Sequence, residues 1–215
     1  VYLDLQRPTL AITDSTKAIQ LDPENAMAYA NRGGAYARTL ELDKAIADLD
    51  TAIQLDLNLQ VAYVNRGAVL AMSGRMEDAL KDLDLALLMV PNHVSALTNR
   101  AGVNFDLGNF DQALLDYDNI LRLDPTNASA FASRGFGYWD RGQPQTALED
   151  LNEAARLDPD FALAFVNRAL INCSLGNETE CDADIQRASE LGFDADELRQ
   201  SIADLIEEWQ GIRQN

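Results

Sequence analysis

The sequence repeats itself with a period of 34 residues, and this period constrains the fold more than any other feature of the chain. The clearest copy spans residues 128–161 and reads ASAFASRGFGYWDRGQPQTALEDLNEAARLDPDF. Two amphipathic helical patterns lie within it: the first ends near Gly142, and the second begins at Pro144 and ends before Pro159. Each copy is therefore predicted to form a helical hairpin, whose apolar face can be buried only against neighbouring copies.

The same unit occurs in phase along nearly the whole chain. Full copies span residues 26–59, 60–93, 94–127 and 128–161, residues 162–195 form a degenerate copy, and residues 1–25 fit a truncated first copy. Residues 196–215 follow as a predicted C-terminal capping helix and tail. The pattern within a copy is shown by residues 128–161, which contain Phe131, Gly135, Tyr138, Gly142, Ala147, Ala154 and Pro159.

This pattern resembles the tetratricopeptide repeat family. The resemblance implies an all-α fold, a right-handed α-solenoid superhelix of tetratricopeptide repeat hairpins. It also implies a non-catalytic protein–protein interaction module, which binds an extended peptide or partner segment in the concave groove. Two alternatives stay open: a regulatory or substrate-recruiting repeat domain of a larger enzyme, and a self-assembling structural scaffold that stacks through the ends of the array.

Composition restricts the partner. The 215 residues include 35 acidic and 17 basic side chains, a formal net charge of -18, which would repel nucleic acid. No apolar run approaches the roughly 18 residues needed to span a bilayer, so membrane insertion is not expected. A protein or peptide that is neutral to basic and carries an apolar anchor is the compatible partner. No cofactor and no metal are predicted.

The first helix of each copy carries the candidate binding residues, because the family lines its concave groove with these helices. Position 6 of the repeat is usually asparagine, a mediocre helix former whose carboxamide can both donate to and accept from a peptide main chain. The row resembles the asparagine ladder of O-linked N-acetylglucosamine transferases. Its members are Asn31, Asn65, Asn99 and Asn167. The alternative is that these carboxamides bond to neighbouring helices.

An apolar hot spot is predicted toward the second half of the array. The groove positions carry Phe105, Phe136 and Trp139, with Asp106 and Asp140 beside them. An apolar pocket with an acidic rim suits a bulky hydrophobic side chain next to a lysine or arginine. The alternative is that Trp139 packs against the adjacent repeat. The basic residues with which co-chaperone members of the family clamp a C-terminal carboxylate are missing at the matching positions, so that mode is not predicted.

Two charged rows run in phase through the repeats. Position 7 holds Arg32, Arg66, Arg100, Arg134 and Arg168, and position 23 holds Asp14, Asp48, Asp82, Asp116, Asp150 and Asp184. The guanidinium group suits a carboxylate, so the two rows are predicted to form ion pairs between packed helices. Pairing within a repeat would leave Asp14 over, and pairing with the preceding repeat would leave Asp184 over. The functional alternative is an anion-binding row.

The remaining chemistry-bearing residues are few. His93, the single histidine, is predicted to be an ordinary loop residue. Cys173 and Cys181 fall at positions 12 and 20 of the last hairpin, on its two helices, which an antiparallel arrangement could bring near each other. The favoured interpretation is a buried free thiol at Cys181. The alternative is a disulfide, which would imply an oxidising compartment.

The last helix is predicted from residue 194 onward. Asp194 or Asp196 can cap its first turn. The apolar side chains at helical spacing are Leu198, Ile202, Leu205, Ile206 and Trp209. This stripe is expected to cover the last hairpin, since repeat arrays need a polar outer cap. The alternative is a docking helix for another subunit.

Overall fold

The computed structural model describes residues 8–213 of the chain, with side chains through residue 207. That range contains twelve α-helices and no strand, which confirms the all-α repeat solenoid. Residues 1–7 of the predicted truncated first copy and the side chain of Trp209 lie outside the described residues. The helices are α1 (Pro8–Leu21), α2 (Ala26–Arg38), α3 (Leu42–Leu55), α4 (Gln60–Met72), α5 (Met76–Met89), α6 (Val94–Asp106), α7 (Phe110–Leu123), α8 (Ala128–Asp140), α9 (Pro144–Leu157), α10 (Ala162–Ser174), α11 (Glu178–Glu190) and α12 (Ala195–Arg213). 

The chain divides into two compact units, Val1–Asp116 and Tyr117–Asn215. In the first unit α2 packs against α3 and α4 against α5, as the hairpin pattern predicts, and the first helices α2, α4 and α6 pack in series. In the second unit α8 packs against α9 and α10 against α11, and α12 packs on α10 and α11. No helix in residues 8–213 is both long and apolar enough to cross a membrane.

Small residues allow the two helices of a hairpin to approach closely. A methyl group added at Gly33 would lie 2.7 Å from Cγ of Leu49, and one added at Gly67 would lie 2.8 Å from Cγ of Leu83. Both distances are far below van der Waals contact, so the leucine of the second helix occupies the space that a side chain would need. The small residue at position 8 is therefore a packing requirement of the hairpin.

The turn inside each hairpin uses a left-handed residue after the first helix. Gly74 takes this conformation with φ 76°, and glycine does so without steric cost. The equivalent residue of the preceding repeat is Leu40, which has φ 61° and is 72% exposed. The first full repeat thus accepts a strained backbone at a place where the other full repeats have glycine.

The loops between repeats are closed by aspartate side chains. The carboxylate at position 31 accepts a hydrogen bond from the backbone N–H two residues further on, at 2.9–3.1 Å. The residues that do this are Asp22, Asp56, Asp124 and Asp158. Val90 occupies the same position after α5 and has no side-chain acceptor.

The last helix begins as predicted. The Asp194 carboxylate accepts from the backbone N–H of Asp196 at 3.0 Å and of Glu197 at 2.9 Å, so Asp194 is the cap. Leu198 and Ile202 are buried and Ile206 packs against the same core. Leu205 is 48% exposed, which corrects its placement in the buried stripe. It lies three residues after Ile202 but turns to the outer side of the helix.

Candidate peptide-binding site

The asparagines of the first unit lie on its three consecutive first helices. Asn31 is in α2, Asn65 in α4 and Asn99 in α6, and all three are half-buried. Within residues 8–207 none of their carboxamides makes a side-chain hydrogen bond, so the alternative of bonds to neighbouring helices is not what the described structure has. Asn167, in α10 of the second unit, is also half-buried.

The main chain is accessible beside these carboxamides. The residue three positions further along each helix is Gly34, Ala68 or Gly102, which leaves little side chain on the same face. A methyl group added at Gly102 would meet nothing within 4 Å. One added at Gly34 would lie 3.3 Å from Nδ2 of Asn65, so this carboxamide leans toward the preceding repeat. The carboxamides therefore lie on a helix surface from which few other side chains project.

Within the second unit, the predicted hot-spot residues do not form an exposed pocket around Trp139. Trp139 is 5% exposed and belongs to the hydrophobic core of the second unit, together with Leu151 and Phe165. The expectation that its ring is an accessible anchor is therefore corrected in favour of packing. The half-buried ring of Phe136 lies beside it, with centroids 5.6 Å apart, and Asp140 is half-buried.

Phe105 and Asp106 belong to the first unit, near the end of α6. The ring of Phe105 is half-buried and meets the edge of Phe110, with centroids 5.2 Å apart and planes at 73°. Asp106 is exposed. An apolar ring and an exposed carboxylate thus follow Asn99 on the same helix.

The arginine row pairs within the repeat. Arg66 donates from Nε to Oδ2 of Asp82 at 2.7 Å and from Nη2 to Oδ1 at 2.8 Å. The same two-pronged geometry joins Arg32 to Asp48, Arg100 to Asp116, Arg134 to Asp150 and Arg168 to Asp184. Asp14 is exposed, and no side chain in the described range bonds to it, as the within-repeat alternative predicts.

Each arginine also reaches back to the preceding repeat, a contact that the sequence analysis missed. Nη1 of Arg66 donates to Asp50 at 2.5 Å, and the acceptors of the other arginines are Thr16, Asp84, Asp118 and Asn152. The sequence contains a pattern that could have predicted this contact, because all five acceptors occupy position 25 of the preceding repeat. One guanidinium group therefore ties three helices together.

These contacts leave the guanidinium groups occupied. The hydrogen bond to Asp82 raises the pKa of Arg66 above its ordinary value, and bonds to Asp116 and Asp150 do the same for Arg100 and Arg134. In each guanidinium group, Nε and Nη2 donate to the aspartate of the same repeat and Nη1 donates to a side chain of the preceding repeat. The row is therefore structural, and the anion-binding interpretation is not supported.

The two cysteines form a disulfide between α10 and α11, with Cα atoms 5.2 Å apart. The favoured interpretation of a free thiol at Cys181 is therefore wrong. The antiparallel hairpin brings positions 12 and 20 face to face, and cysteine at both positions allows the bond.

His93 caps α6, since its Nδ1 accepts from the backbone N–H of Ala96 at 3.2 Å. The described residues contain no group of three or more His, Cys, Asp or Glu side chains that could hold a metal ion.

The tetratricopeptide repeat family profile matches residues 1–57, 64–128 and 136–180, and the chain belongs to this family. Its repeats make it a protein–protein interaction module. No curated protein matches the sequence.

Solved structures agree with this fold. YrrB, described as a tetratricopeptide repeat protein with an unusual peptide-binding site, is 23% identical, with 83% of this chain and 92% of YrrB covered and a TM-score of 0.66. PilF of Pseudomonas aeruginosa is 16% identical over 86% of each chain, with a TM-score of 0.74. MamA of Desulfovibrio magneticus is 20% identical over 82% of this chain and 96% of its own, with a TM-score of 0.66. Identities this low establish the shared fold alone.

Proposed function

We propose that the carboxamide row of the first unit, Asn31, Asn65 and Asn99, binds an extended segment of a partner polypeptide. The observation that carries the proposal is the set of half-buried carboxamides that make no side-chain hydrogen bond within the described residues. A half-buried amide left without a partner loses part of its hydration, so a ligand that supplies hydrogen bonds is favoured. An extended main chain presents donors and acceptors in alternation, and a carboxamide matches both.

The small residues beside the row support the same ligand. Gly34, Ala68 and Gly102 leave room for a main chain to come close, which larger side chains would prevent. The carboxamides supply affinity without selecting side chains. Selectivity therefore needs a second element of the site.

Phe105 and Asp106 are suited to that selective role. Asp106 follows Asn99 on α6 by seven residues and therefore lies on the same face of the helix, and Phe105 is the residue before it. A partner with an apolar side chain for Phe105 and a lysine or arginine for Asp106 fits this end of the row. The net charge of -18 further favours a neutral to basic segment over an acidic one.

A peptide selection tests the proposal. A random peptide library displayed on phage is selected against the chain, and the enriched peptides are then measured by fluorescence anisotropy. In the variant carrying both Asn65→Ala and Asn99→Ala, we expect the dissociation constant of these peptides to rise about tenfold or more. Alanine is the better helix former, so the variant is expected to fold at least as well as the parent.

The matched control is Asn58→Ala, which removes an exposed carboxamide in the loop between α3 and α4. It should leave peptide binding unchanged. Failure to enrich any peptide, or enriched peptides that bind the double variant as tightly as the parent, would overturn the proposal.

A further inference from the structure

The C-terminal end of α5 and the residue after it expose a group of large apolar side chains. Leu88 is 80% exposed, Leu85 and Val90 are each 43% exposed, and Met89 is 37% exposed. Leu85, Leu88 and Met89 are spaced by three and four residues, so they form one face of the helix. These four residues are called the α5 apolar end below.

The other repeats show that the fold does not need this composition. At position 29, where α5 has Leu88, the second helices carry Gln54, Arg122, Arg156 and Glu190. At position 26, where α5 has Leu85, they carry Thr51, Asn119, Glu153 and Arg187. Equivalent places in the same protein are therefore polar and exposed or half-buried, and packing does not explain the two leucines.

Val90 also departs from the pattern of the other repeats, and this departure costs a hydrogen bond in the loop. The aspartates at its position in other repeats close the loop with a bond to the backbone two residues on, at 2.9 Å for Asp56. Valine cannot accept that hydrogen bond, yet it leaves its side chain 43% exposed. A residue that gives up local stability without being buried is the kind expected at a functional surface.

The charge at the α5 apolar end points to the type of partner. A helix C-terminus carries partial negative charge on its free carbonyl groups, which favours cations. α7, α9 and α11 have Arg122, Arg156 and Arg187 in their last turns, whereas α5, like α1 and α3, has no basic residue there. Asp84, one turn before Leu88, adds a carboxylate that is 61% exposed, although its Oδ1 already accepts a hydrogen bond from Nη1 of Arg100 at 2.7 Å.

We propose that the α5 apolar end is a docking surface for an amphipathic helix whose apolar stripe is bordered by lysine or arginine. The stripe covers Leu85, Leu88 and Val90, and the cations meet the last carbonyl groups of α5 and the carboxylate of Asp84. A second copy of this chain is the weaker candidate, because two bodies of net charge -18 repel each other. This surface is separate from the carboxamide row on the first helices.

A synthetic peptide tests the surface without knowledge of the natural partner. The probe is a fluorescent leucine–lysine peptide, about 14 residues long, with its leucines on one helical face. The control peptide has the same composition with the leucines distributed around the helix. At near-physiological salt, we expect the parent protein to bind the amphipathic peptide about tenfold more tightly than the control peptide.

The test variant combines Leu85→Asn, Leu88→Gln and Val90→Asp, residues that the chain itself uses at the same positions. It should remove the preference for the amphipathic peptide while its melting temperature stays at or above that of the parent. Val90→Asp adds a negative charge, so weaker binding of a basic peptide cannot be ascribed to electrostatics. Leu163→Gln, which changes a leucine that is 51% exposed on α10, is the matched control and should bind like the parent.

Three results would overturn the inference. The first is equal binding of the two peptides, and the second is full binding by the triple variant. The third is concentration-dependent light scattering that shows a dimer in the parent and a monomer in the triple variant, which would make a second copy the occupant. The variant with Asn65→Ala and Asn99→Ala should still bind the amphipathic peptide. The docking surface on α5 and the carboxamide row can therefore be tested independently of each other.

Discussion

Arg66 holds both carboxylate oxygens of Asp82 through two hydrogen bonds, at 2.7 Å from Nε and 2.8 Å from Nη2. The Asp82 side chain is 6% exposed, whereas that of Arg66 is 22% exposed and continues to Asp50 of the preceding repeat. The pair therefore joins the two helices of one hairpin and links that hairpin to its neighbour.

Replacement of this arginine should destabilise the first unit. Arg66→Ala leaves the Asp82 carboxylate buried without its partner, and we expect the free energy of unfolding to fall by about 3–5 kcal/mol, measured by urea denaturation. Arg75→Ala, which removes an exposed arginine paired with Asp78, should have little effect. Adding Asp82→Ala to the first variant should recover part of the loss. Equal and small effects of Arg66→Ala and Arg75→Ala would show that the arginine row contributes little to stability.

Leu40 should be a site where a single substitution stabilises the protein. Its φ of 61° strains any residue with a Cβ atom, and Leu40→Gly should raise the free energy of unfolding by about 1 kcal/mol. Little burial is lost, because Leu40 is 72% exposed. Gly74→Leu, at the equivalent position of the next repeat, should lower it by a similar amount. A lower denaturation midpoint for Leu40→Gly would contradict the strain argument.

Trp139→Ala should act on the stability of the second unit. The ring is 5% exposed in the core, and large-to-small changes of this kind cost about 3–5 kcal/mol. We expect a much lower denaturation midpoint, measured by circular dichroism. Leu163→Ala, at a leucine that is 51% exposed, is the control and should change the midpoint little. A melting temperature that stays at the parent value would return Trp139 to the role of an accessible anchor.

The disulfide predicts a redox-dependent stability. A thiol count in denaturant without reductant should give zero, and dithiothreitol should lower the free energy of unfolding by roughly 2–3 kcal/mol, because the bond closes a short loop. The variant with Cys173→Ser and Cys181→Ser should lose this dependence on reductant. A count of two thiols per chain would restore the free-thiol interpretation. A count of zero at monomeric mass would support function in an oxidising compartment.

Much of the fold followed from the sequence because its signals are local or periodic. The 34-residue period predicted the helical hairpins. Asp194, one of the two predicted caps of the last helix, is the cap, because a helix start depends on a few neighbouring residues. The arginine and aspartate rows were correctly predicted to form ion pairs, and the structure decided between the two possible pairings in favour of pairing within the repeat. The row of asparagines was equally visible, and its role stays a proposal.

Tertiary structure alone decided which side chains are buried and which meet. Trp139 occupies a helix position that suits a groove, yet its ring enters the core, because burial depends on the volume that neighbouring helices leave free. The sequence allowed Cys173 and Cys181 to be either free thiols or a disulfide. The packing of α10 against α11 brings their Cα atoms to 5.2 Å, and they form the disulfide. The repeat period reveals only the features that all copies have in common. The exposed leucines of α5, the strain at Leu40 and the disulfide belong to single copies, so their consequences appear only when each copy is packed against its own neighbours.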